Sequence, residues 1–240
     1  MSIQGPGYKN FSDVTVIIPT LNEQRTIPEL LSLLTEFYPG LNVIISDDGS
    51  KDGTQQIIKE FSLKNSNIQL LDRTKRKIHG LTASVADAIK QTRTEYFVVM
   101  DGDLQHPPEK IAEIVKRIHQ GNALVIGTRG EFAERWIFSR IVISRVATVL
   151  ANLRLFMVGV RIKDPMSGFF GGSTRLVEKI IKEKENEFDL RGYKILMDIL
   201  KFMPQGTTLS EIYFKFGLRR EGKSKTNFRI AWLFFKSLFR

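Results

Sequence analysis

Two acidic residues and a glutamine are spaced two apart in the segment Asp101-Gly102-Asp103-Leu104-Gln105. In an extended chain the side chains alternate between two sides, so residues 101, 103 and 105 are predicted to share one side. Two carboxylates this close repel each other unless a cation lies between them. Oxygen ligands suit Mg2+ or Mn2+, which keep positions open for phosphate oxygens. The segment is therefore predicted to bind such an ion, although an ordinary polar turn has the same composition.

Acidic residues also follow two earlier apolar segments. The motif Asp47-Asp48-Gly49-Ser50 follows one of them, and Glu23 follows the other after Pro19-Thr20-Leu21-Asn22. A turn and a helix N-cap explain Asp48 and Ser50 as well as a binding role does. Asp47 lies nearest the end of its apolar segment, where a carboxylate can accept hydrogen bonds from a nucleobase. These residues are candidates for binding a nucleoside.

The elements that must position these residues form an α/β pattern. Helical segments separate five short apolar runs that are rich in β-branched residues, at 14–18, 43–46, 68–71, 96–100 and 124–127. Runs that are apolar throughout indicate strands covered on both faces, which predicts a mostly parallel sheet flanked by helices. Ligands bind at the carboxyl edge of such sheets. The acidic motifs are therefore predicted to meet at that edge.

The pattern changes after about residue 130, where we predict a helix, a strand, a second helix and a second strand at 136–156, 169–172, 191–202 and 208–216. No linker, internal repeat or low-complexity segment separates the two halves. One catalytic domain is therefore predicted for residues 13–227, after an N-terminal tail of residues 1–12. Residues 228–240 form a separate amphipathic segment.

Composition excludes several protein classes. With 240 residues, 42% hydrophobic and 26% charged, the chain is globular and neither disordered nor collagen-like. It has no cysteine, which excludes disulfides, thiolate metal ligands and a cysteine nucleophile. The first ten residues lack a signal-peptide core, so export is not expected. The net charge of +10 favours an anionic partner, and residues 215–240 contain eight basic residues and one acidic residue.

Further motifs along the chain lie at residues 101–109 (DGDLQHPPE), 127–129 (GTR), 164–170 (DPMSGFF), 192–196 (GYKIL), 216–219 (FGLR) and 222–225 (GKSK). With the acidic motifs they resemble glycosyltransferase family 2 enzymes of the GT-A fold, and within that family the dolichyl-phosphate mannose synthases. The resemblance covers nearly the whole chain. It implies a Rossmann-like single domain with interfacial helices at its C-terminus.

The resemblance also implies an activity and a set of site residues. The activity is inverting transfer of mannose from GDP-mannose to dolichyl or another polyprenyl phosphate. The implied donor site consists of Pro19, Leu21, Glu23, Ile45, Asp47, Asp101, Gly102, Asp103 and Gln105, of which Asp101, Asp103 and Gln105 would hold Mg2+ or Mn2+. The implied acceptor-phosphate ligands are Arg129, Arg140 and Ser144. Arg219 and Lys225, on a mobile loop over the phosphates, would complete the catalytic set with Asp103 and Arg129. At Leu21 the family usually has Tyr.

The charges agree with a phosphate acceptor. A phosphate monoester is roughly 90% dianionic at pH 7 and needs no general base, whereas a sugar hydroxyl does. Guanidinium groups such as that of Arg129 pair with phosphate oxygens in a bidentate way. Direct displacement at the anomeric carbon of an α-linked donor would give a β-linked product.

A polyprenyl phosphate requires contact with a membrane. Residues 228–240 contain nine apolar residues among thirteen, with basic residues between them, which suits an interfacial helix on anionic lipid. A helix packed on the sheet has the same composition. The resemblance implies a peripheral enzyme on the cytoplasmic face, or one anchored by further transmembrane helices or by a small membrane subunit.

Three alternatives stay open at this point. The donor could be UDP-glucose or another sugar nucleotide, since Glu23 and Asp47 do not distinguish the bases. The acidic sheet edge could serve a nucleotidyltransferase, which leaves the 164–170 motif unexplained. The basic aromatic C-terminus could belong to a lipid- or nucleic-acid-binding module. A nucleic-acid partner is not expected, because such a module has no use for acids at three strand ends.

Overall fold

The computed structural model describes residues 11–132 and 149–217, with the backbone alone at 131 and 132. Its seven strands are β1 (Val14–Thr20), β2 (Asn42–Asp47), β3 (Ile68–Asp72), β4 (Tyr96–Val99), β5 (Leu124–Phe132), β6 (Phe170–Ser173) and β7 (Leu209–Phe216). The α-helices are α1 (Ile27–Phe37), α2 (Thr54–Lys64), α3 (Leu81–Gln91), α4 (Ile111–His119), α5 (149–157), α6 (Thr174–Lys184) and α7 (Ile195–Lys201). Short 3-10 helices span Pro108–Lys110 and Glu185–Glu187.

The seven strands form one sheet in the order β3-β2-β1-β4-β6-β5-β7. Strand β6 runs antiparallel to both of its neighbours, and the other neighbouring strands are parallel. The prediction of a mostly parallel α/β sheet in one domain is therefore confirmed, and the five strands expected in the first half are all present.

The strands are apolar throughout because helices cover both faces of the sheet. In β1, Ile17 lies in the core on one face, while Val16 and Ile18 lie in the core on the other. Residues of α3, α5, α6 and α7 belong to the first core, and residues of α1 and α4 belong to the second. Burying a side chain such as Ile17 contributes about 1.5–3 kcal/mol. This three-layer packing fixes the carboxyl edge of the sheet.

Helix α7 begins at Ile195, later than the predicted start at residue 191. The preceding carbonyl groups have other partners: Leu190 O accepts the N–H of Ala83, and Gly192 O accepts the N–H of Thr82. These bonds satisfy two donors in the first turn of α3. The segment before α7 therefore caps a neighbouring helix.

Two predicted helices extend beyond the described residues. Residues 149–157 of the predicted helix at 136–156 are helical, and the remainder of that prediction lies outside the described residues. The predicted C-terminal helix at 228–240 lies outside them entirely. Within 11–132 and 149–217, no helix has both the length and the apolar character that a bilayer span requires.

Candidate functional site at the carboxyl edge of the sheet

The segment after β4 is a turn. The strand ends at Val99, Leu104 has a φ of 63°, and Asp103 Oδ1 accepts the N–H of Gln105 at 3.1 Å. The extended geometry predicted for residues 101–105 is therefore wrong. An aspartate that accepts the N–H two residues ahead stabilises a turn. Side chains at 101, 103 and 105 therefore do not follow strand alternation, and the segment forms the polar turn that its composition also indicated.

Asp101 lies at the open side of this turn, and Asp103 lies beneath it. The Asp101 side chain is 33% exposed, while Asp103 is 3% exposed. A Cβ atom built on Gly168 would lie 3.2 and 3.3 Å from the two carboxylate oxygens of Asp101. Only a residue without a side chain fits there unless the carboxylate moves. The 164–170 motif is thus packed directly against the first acidic residue.

Gln105 connects the turn to the end of β7. Its Nε2 donates to Gly217 O at 3.1 Å, and Gly217 N–H donates to Gln105 O at 3.0 Å. Gly217 lies at the start of the basic C-terminal segment, residues 215–240. The acidic turn and the start of that segment are therefore held together by two hydrogen bonds.

His106 fixes the backbone of Asp101. Its Nδ1 accepts the N–H of Asp101 at 2.9 Å, so the neutral ring carries its proton on Nε2. The ring is buried and stacks on Phe169 with 5.2 Å between centroids. Burial lowers the pKa of His106 to about 4, although the charge of Asp103 opposes the shift. His106 therefore supports the turn as a neutral residue at physiological pH.

The end of β1 meets the turn at Gly102. A Cβ atom at that glycine would lie 3.2 Å from Thr20 Cγ2 and 3.7 Å from Glu23 Cγ. Glu23 Oε2 accepts a hydrogen bond from Thr26 Oγ1 at 3.2 Å. The structure thus brings Glu23 and Gly102 of the expected donor site together.

The carboxylate of Asp47 holds its own loop. Oδ1 accepts the N–H groups of Gly49 and Ser50 at 3.1 and 2.9 Å, and Gln55 Nε2 at 2.7 Å. Oδ2 accepts hydroxyl donors from Ser50 at 2.5 Å and Thr20 at 3.4 Å. Asp47 is fully buried. A nucleobase could bind this carboxylate only in place of one of these donors.

Other expected donor residues lie along the same edge. Pro19 and Leu21 are partly buried at the end of β1. Ile45 is fully buried in the core between the sheet and the helices of one face. Its side chain therefore belongs to the core, and its backbone lies within the paired strands β1, β2 and β3.

Arg129 is paired with Asp164. Arg129 Nε lies 2.6 Å from Asp164 Oδ2, and Nη2 lies 2.8 Å from Oδ1, so the pair is bidentate. Burial raises the pKa of Asp164, but hydrogen bonds and charge from Arg129 outweigh it and hold that pKa below its usual value. Phe216 lies 5.7 Å from the guanidinium carbon. The guanidinium is thus fixed in orientation by an ionised carboxylate.

Lys194 is the second cationic residue near the turn. Its Nζ donates to Met166 O at 3.1 Å. Burial lowers the pKa of Lys194 to about 8; Arg129 lowers it further, and the carboxylates of Asp164 and Asp101 raise it. The sequence alone indicates no individual role for Asp164 or Lys194. Their motifs, 164–170 and 192–196, were the signal that singled out these segments.

The oxygen atoms of Asp101, Asp103 and Gln105 fit a hard divalent ion by their chemistry. Among the described residues, no cluster contains three or more His, Cys, Asp or Glu side chains placed to hold a metal. Gln105 stays the predicted third protein ligand, with phosphate oxygens completing the coordination. Four expected residues, Arg140, Ser144, Arg219 and Lys225, lie outside the described residues.

The fold is similar to that of solved glycosyltransferase structures. Glucosyl-3-phosphoglycerate synthase from Mycobacterium tuberculosis, solved in complex with Mn2+, UDP-glucose and phosphoglyceric acid, superposes with a TM-score of 0.69. It is 20% identical, over 94% of this chain and 78% of that one. Mannosyl-3-phosphoglycerate synthase from Rubrobacter xylanophilus has a TM-score of 0.63 at 16% identity, covering 94% and 72% of the two chains. At these identities the likeness shows a shared GT-A-like fold.

Sequence relatives are closer. The dolichol-phosphate mannosyltransferase of Pyrococcus furiosus is 36% identical over 232 residues, which are 95% of this chain and 63% of that protein. The protein of that name from Saccharomyces cerevisiae is 29% identical, over 94% and 85%. The polyprenol monophosphomannose synthase of Mycolicibacterium smegmatis is 29% identical, over 88% and 79%.

The chain thus spans less than two thirds of its archaeal relative and about four fifths of the other two. A family model described as glycosyl transferase family 2 matches residues 15–181, which include the sheet edge, the acidic turn and the Arg129–Asp164 pair. This match covers more than half of the sequence, and it confirms the resemblance seen in the motifs. The chain belongs to glycosyl transferase family 2.

Proposed function

We propose that this chain transfers mannose from GDP-mannose to dolichyl or another polyprenyl phosphate, with inversion at the anomeric carbon. The observation that carries the proposal is the similarity to proteins named dolichol-phosphate mannosyltransferase, which extends over 93–95% of the chain. A sheet edge with acidic and cationic side chains side by side supports it, because the donor requires a metal and the acceptor is an anion.

The donor is proposed to bind at the turn after β4. Asp101, Asp103 and Gln105 would hold Mg2+ or Mn2+, whose charge neutralises the leaving diphosphate. The Mn2+ and sugar nucleotide in the neighbour of known structure support this assignment. Pro19, Glu23 and the neighbourhood of Asp47 would hold the guanosine. Arg219 and Lys225, by their resemblance to the family, would add positive charge at the phosphates.

The acceptor is proposed to bind beside Arg129. An oxygen of its phosphate attacks the anomeric carbon while the bond from that carbon to the diphosphate breaks, and the product is a β-linked phosphodiester with GDP released. No general base is required, since the phosphate is already largely dianionic at pH 7. Asp164 orients the Arg129 guanidinium for this contact. Arg140 and Ser144 are proposed as further phosphate ligands.

An apolar face on α5 supports contact with a membrane. Val149, Leu153, Phe156 and Met157 are 59–74% exposed and follow a helical spacing on one side of the helix. Leu155, on the opposite side, is fully buried. Arg161 lies beside this face, with its guanidinium carbon 5.2 Å from the Phe156 ring. Apolar and cationic side chains together suit the surface of an anionic bilayer.

Because the proposed acceptor is a lipid, the protein is also proposed to act at a membrane surface. A peripheral position on the cytoplasmic face, with anchoring by residues 228–240, by further transmembrane helices or by a small membrane subunit, would bring the site to its lipid acceptor. The exposed face of α5 is consistent with each of these forms of anchoring.

A second donor, UDP-glucose, is favoured by one observation, since the neighbour of known structure was solved with it. One assay separates the two. The full chain is incubated with Mn2+, a short-chain polyprenyl phosphate and each radiolabelled sugar nucleotide, and the lipid is extracted. We expect label from GDP-mannose in the lipid fraction. Label from UDP-glucose alone would overturn the mannose assignment, and label from neither would overturn the transfer itself.

A further inference from the structure

The ammonium group of Lys194 has more hydrogen-bonding capacity than the described protein uses. An ammonium carries three N–H donors. In residues 11–132 and 149–217, its one hydrogen bond goes to Met166 O at 3.1 Å, and no carboxylate lies within ion-pair distance. The ring of Tyr193 lies 4.5 Å from Nζ and provides an aromatic face on one side.

Lys194 is attached to the same short segment that supports the rest of the site. Residues 164–168 contain Met166, whose carbonyl accepts from Lys194, and Asp164, which holds Arg129. The same segment contains Gly168, packed against the carboxylate of Asp101. The charges of Asp101, Asp164 and Arg129 all influence the pKa of Lys194, and the contacts made by residues 164–168 connect its ammonium to both proposed substrate positions.

Lys194 is partly buried, and shielding an ammonium from water costs free energy unless an anion or several acceptors replace the water. A single carbonyl compensates little of that cost. The nearby carboxylates act through space without forming an ion pair. An anionic ligand that enters between the acidic turn and the Arg129–Asp164 pair would supply the missing partner.

We propose that Lys194 binds a phosphate oxygen of a substrate in this site. Two phosphate groups have the required chemistry, the diphosphate of the sugar nucleotide and the monophosphate of the lipid acceptor. The identity of the bound phosphate group depends on the proposed function. The proposal that Lys194 binds a phosphate does not depend on it. Lys194 immediately precedes α7. It would be a substrate-binding residue supplied by the second half of the chain, whereas the acidic turn is in the first half.

Three variants of the full chain test the proposal. Lys194→Met keeps the length and apolar stem of the side chain without the charge. Lys194→Arg keeps the charge. Lys179→Met removes a positive charge from the exposed face of α6 and is the control for net charge. Affinities for inorganic pyrophosphate with Mn2+, and for a short-chain isoprenyl phosphate, are measured by isothermal titration calorimetry, and Tm is recorded for each variant.

A charge-assisted hydrogen bond to phosphate predicts a loss of about 10- to 100-fold in affinity for one probe in Lys194→Met. Recovery to within about threefold is expected in Lys194→Arg, with no change in Lys179→Met. Loss of pyrophosphate binding assigns Lys194 to the donor, and loss of isoprenyl phosphate binding assigns it to the acceptor.

Unchanged affinity for both probes in Lys194→Met would overturn the proposal. A fall in Tm together with equal loss of both affinities in Lys194→Met and Lys194→Arg would also overturn it, because Lys194 would then only anchor Met166. Neither titration requires turnover. A failure of mannose transfer would therefore leave this test intact.

Discussion

Arg129 and Asp164 form a bidentate ion pair, with nitrogen–oxygen distances of 2.6 and 2.8 Å, although 35 residues separate them in the sequence. Both side chains are mostly buried, at 17% and 9% exposure. The pair fixes the plane of the guanidinium on the cationic side of the site. It also ties β5 to the segment whose Gly168 lies against Asp101.

Changing either member of this pair is expected to affect the lipid acceptor most. Arg129→Lys keeps the charge but loses the planar fork that matches phosphate and carboxylate. Asp164→Asn leaves the guanidinium without its ionised partner. We expect each variant to lower kcat/KM for polyprenyl phosphate by at least about 10-fold while the KM for GDP-mannose changes by less than about threefold.

Steady-state kinetics with each substrate varied in turn provide the measurement, and a double-mutant cycle on unfolding free energy measures the coupling between the two residues. A coupling of about 1–3 kcal/mol is expected for a contacting pair. A selective rise in the KM for GDP-mannose would place Arg129 on the donor side.

Removing the charge of Asp103 is expected to abolish metal-dependent transfer without unfolding the turn. In Asp103→Asn the side-chain oxygen can still accept the N–H of Gln105, so the turn keeps its hydrogen bond. We expect activity to fall by at least about 100-fold and Tm to stay close to that of the parent. Asp103→Ala lacks the acceptor as well, and should lose about 1 kcal/mol of stability in addition. A fully active Asp103→Asn enzyme would exclude this residue as a metal ligand.

A methyl group on Gly168 is expected to disturb the carboxylate of Asp101. The added Cβ would lie 3.2 Å from one carboxylate oxygen and 3.3 Å from His106 Cε1, so neighbouring atoms must shift. Overpacking of this kind costs about 1–3 kcal/mol. We expect Gly168→Ala to weaken Mn2+ binding, measured by calorimetry with GDP present, several-fold.

Gly130→Ala is the matched control, because a Cβ there meets its nearest atom at 3.7 Å, an ordinary contact distance. Equal effects of the two glycine substitutions on Mn2+ binding would show that the position of Gly168 beside Asp101 does not matter for the metal.

Neutral His106 predicts a pH dependence of stability in the metal-free protein. Its folded pKa of about 4 lies below the ordinary histidine pKa of 6.5. Between these values the unfolded chain binds the proton and the folded chain does not, so the free energy of unfolding falls as pH decreases from 6.5 towards 4. The contribution is about 1–3 kcal/mol.

Denaturant unfolding in EDTA between pH 4.5 and 7 measures this effect, with His106→Asn as the comparison. The asparagine oxygen can accept the N–H of Asp101 but does not titrate. The variant is expected to lose part of the acid sensitivity. Parallel pH profiles for the two proteins would mean that His106 has the same pKa in the folded and the unfolded chain.

The sheet was predictable because its strands are covered on both faces, which leaves continuous apolar runs such as that containing Ile17. The acidic edge was predictable for the same reason, since the motifs follow those runs directly. The start of α7 was not, because the carbonyls of Leu190 and Gly192 accept hydrogen bonds from α3, and such a tertiary contact leaves no local pattern.

Other features of the site depend on contacts between distant residues. Nothing in the local sequence pairs Arg129 with Asp164 or directs Lys194 to Met166. The shape of residues 101–105 was predicted wrongly. The hydrogen bond from the Gln105 N–H to Asp103 Oδ1 favours a turn over an extended chain, and the spacing of residue types does not reveal such a bond. The residue types at the edge were thus accessible from sequence, and their partners were not.

In the proposed function, the turn at residues 101–105 binds a divalent ion that holds the diphosphate of the donor. Anomalous scattering from crystals of the full chain, soaked with Mn2+ and GDP, locates the ion directly. We expect one strong peak within about 2.3 Å of carboxylate oxygens of Asp101 and Asp103 and next to the diphosphate. A peak elsewhere, or bound GDP with no peak at this turn, would contradict it.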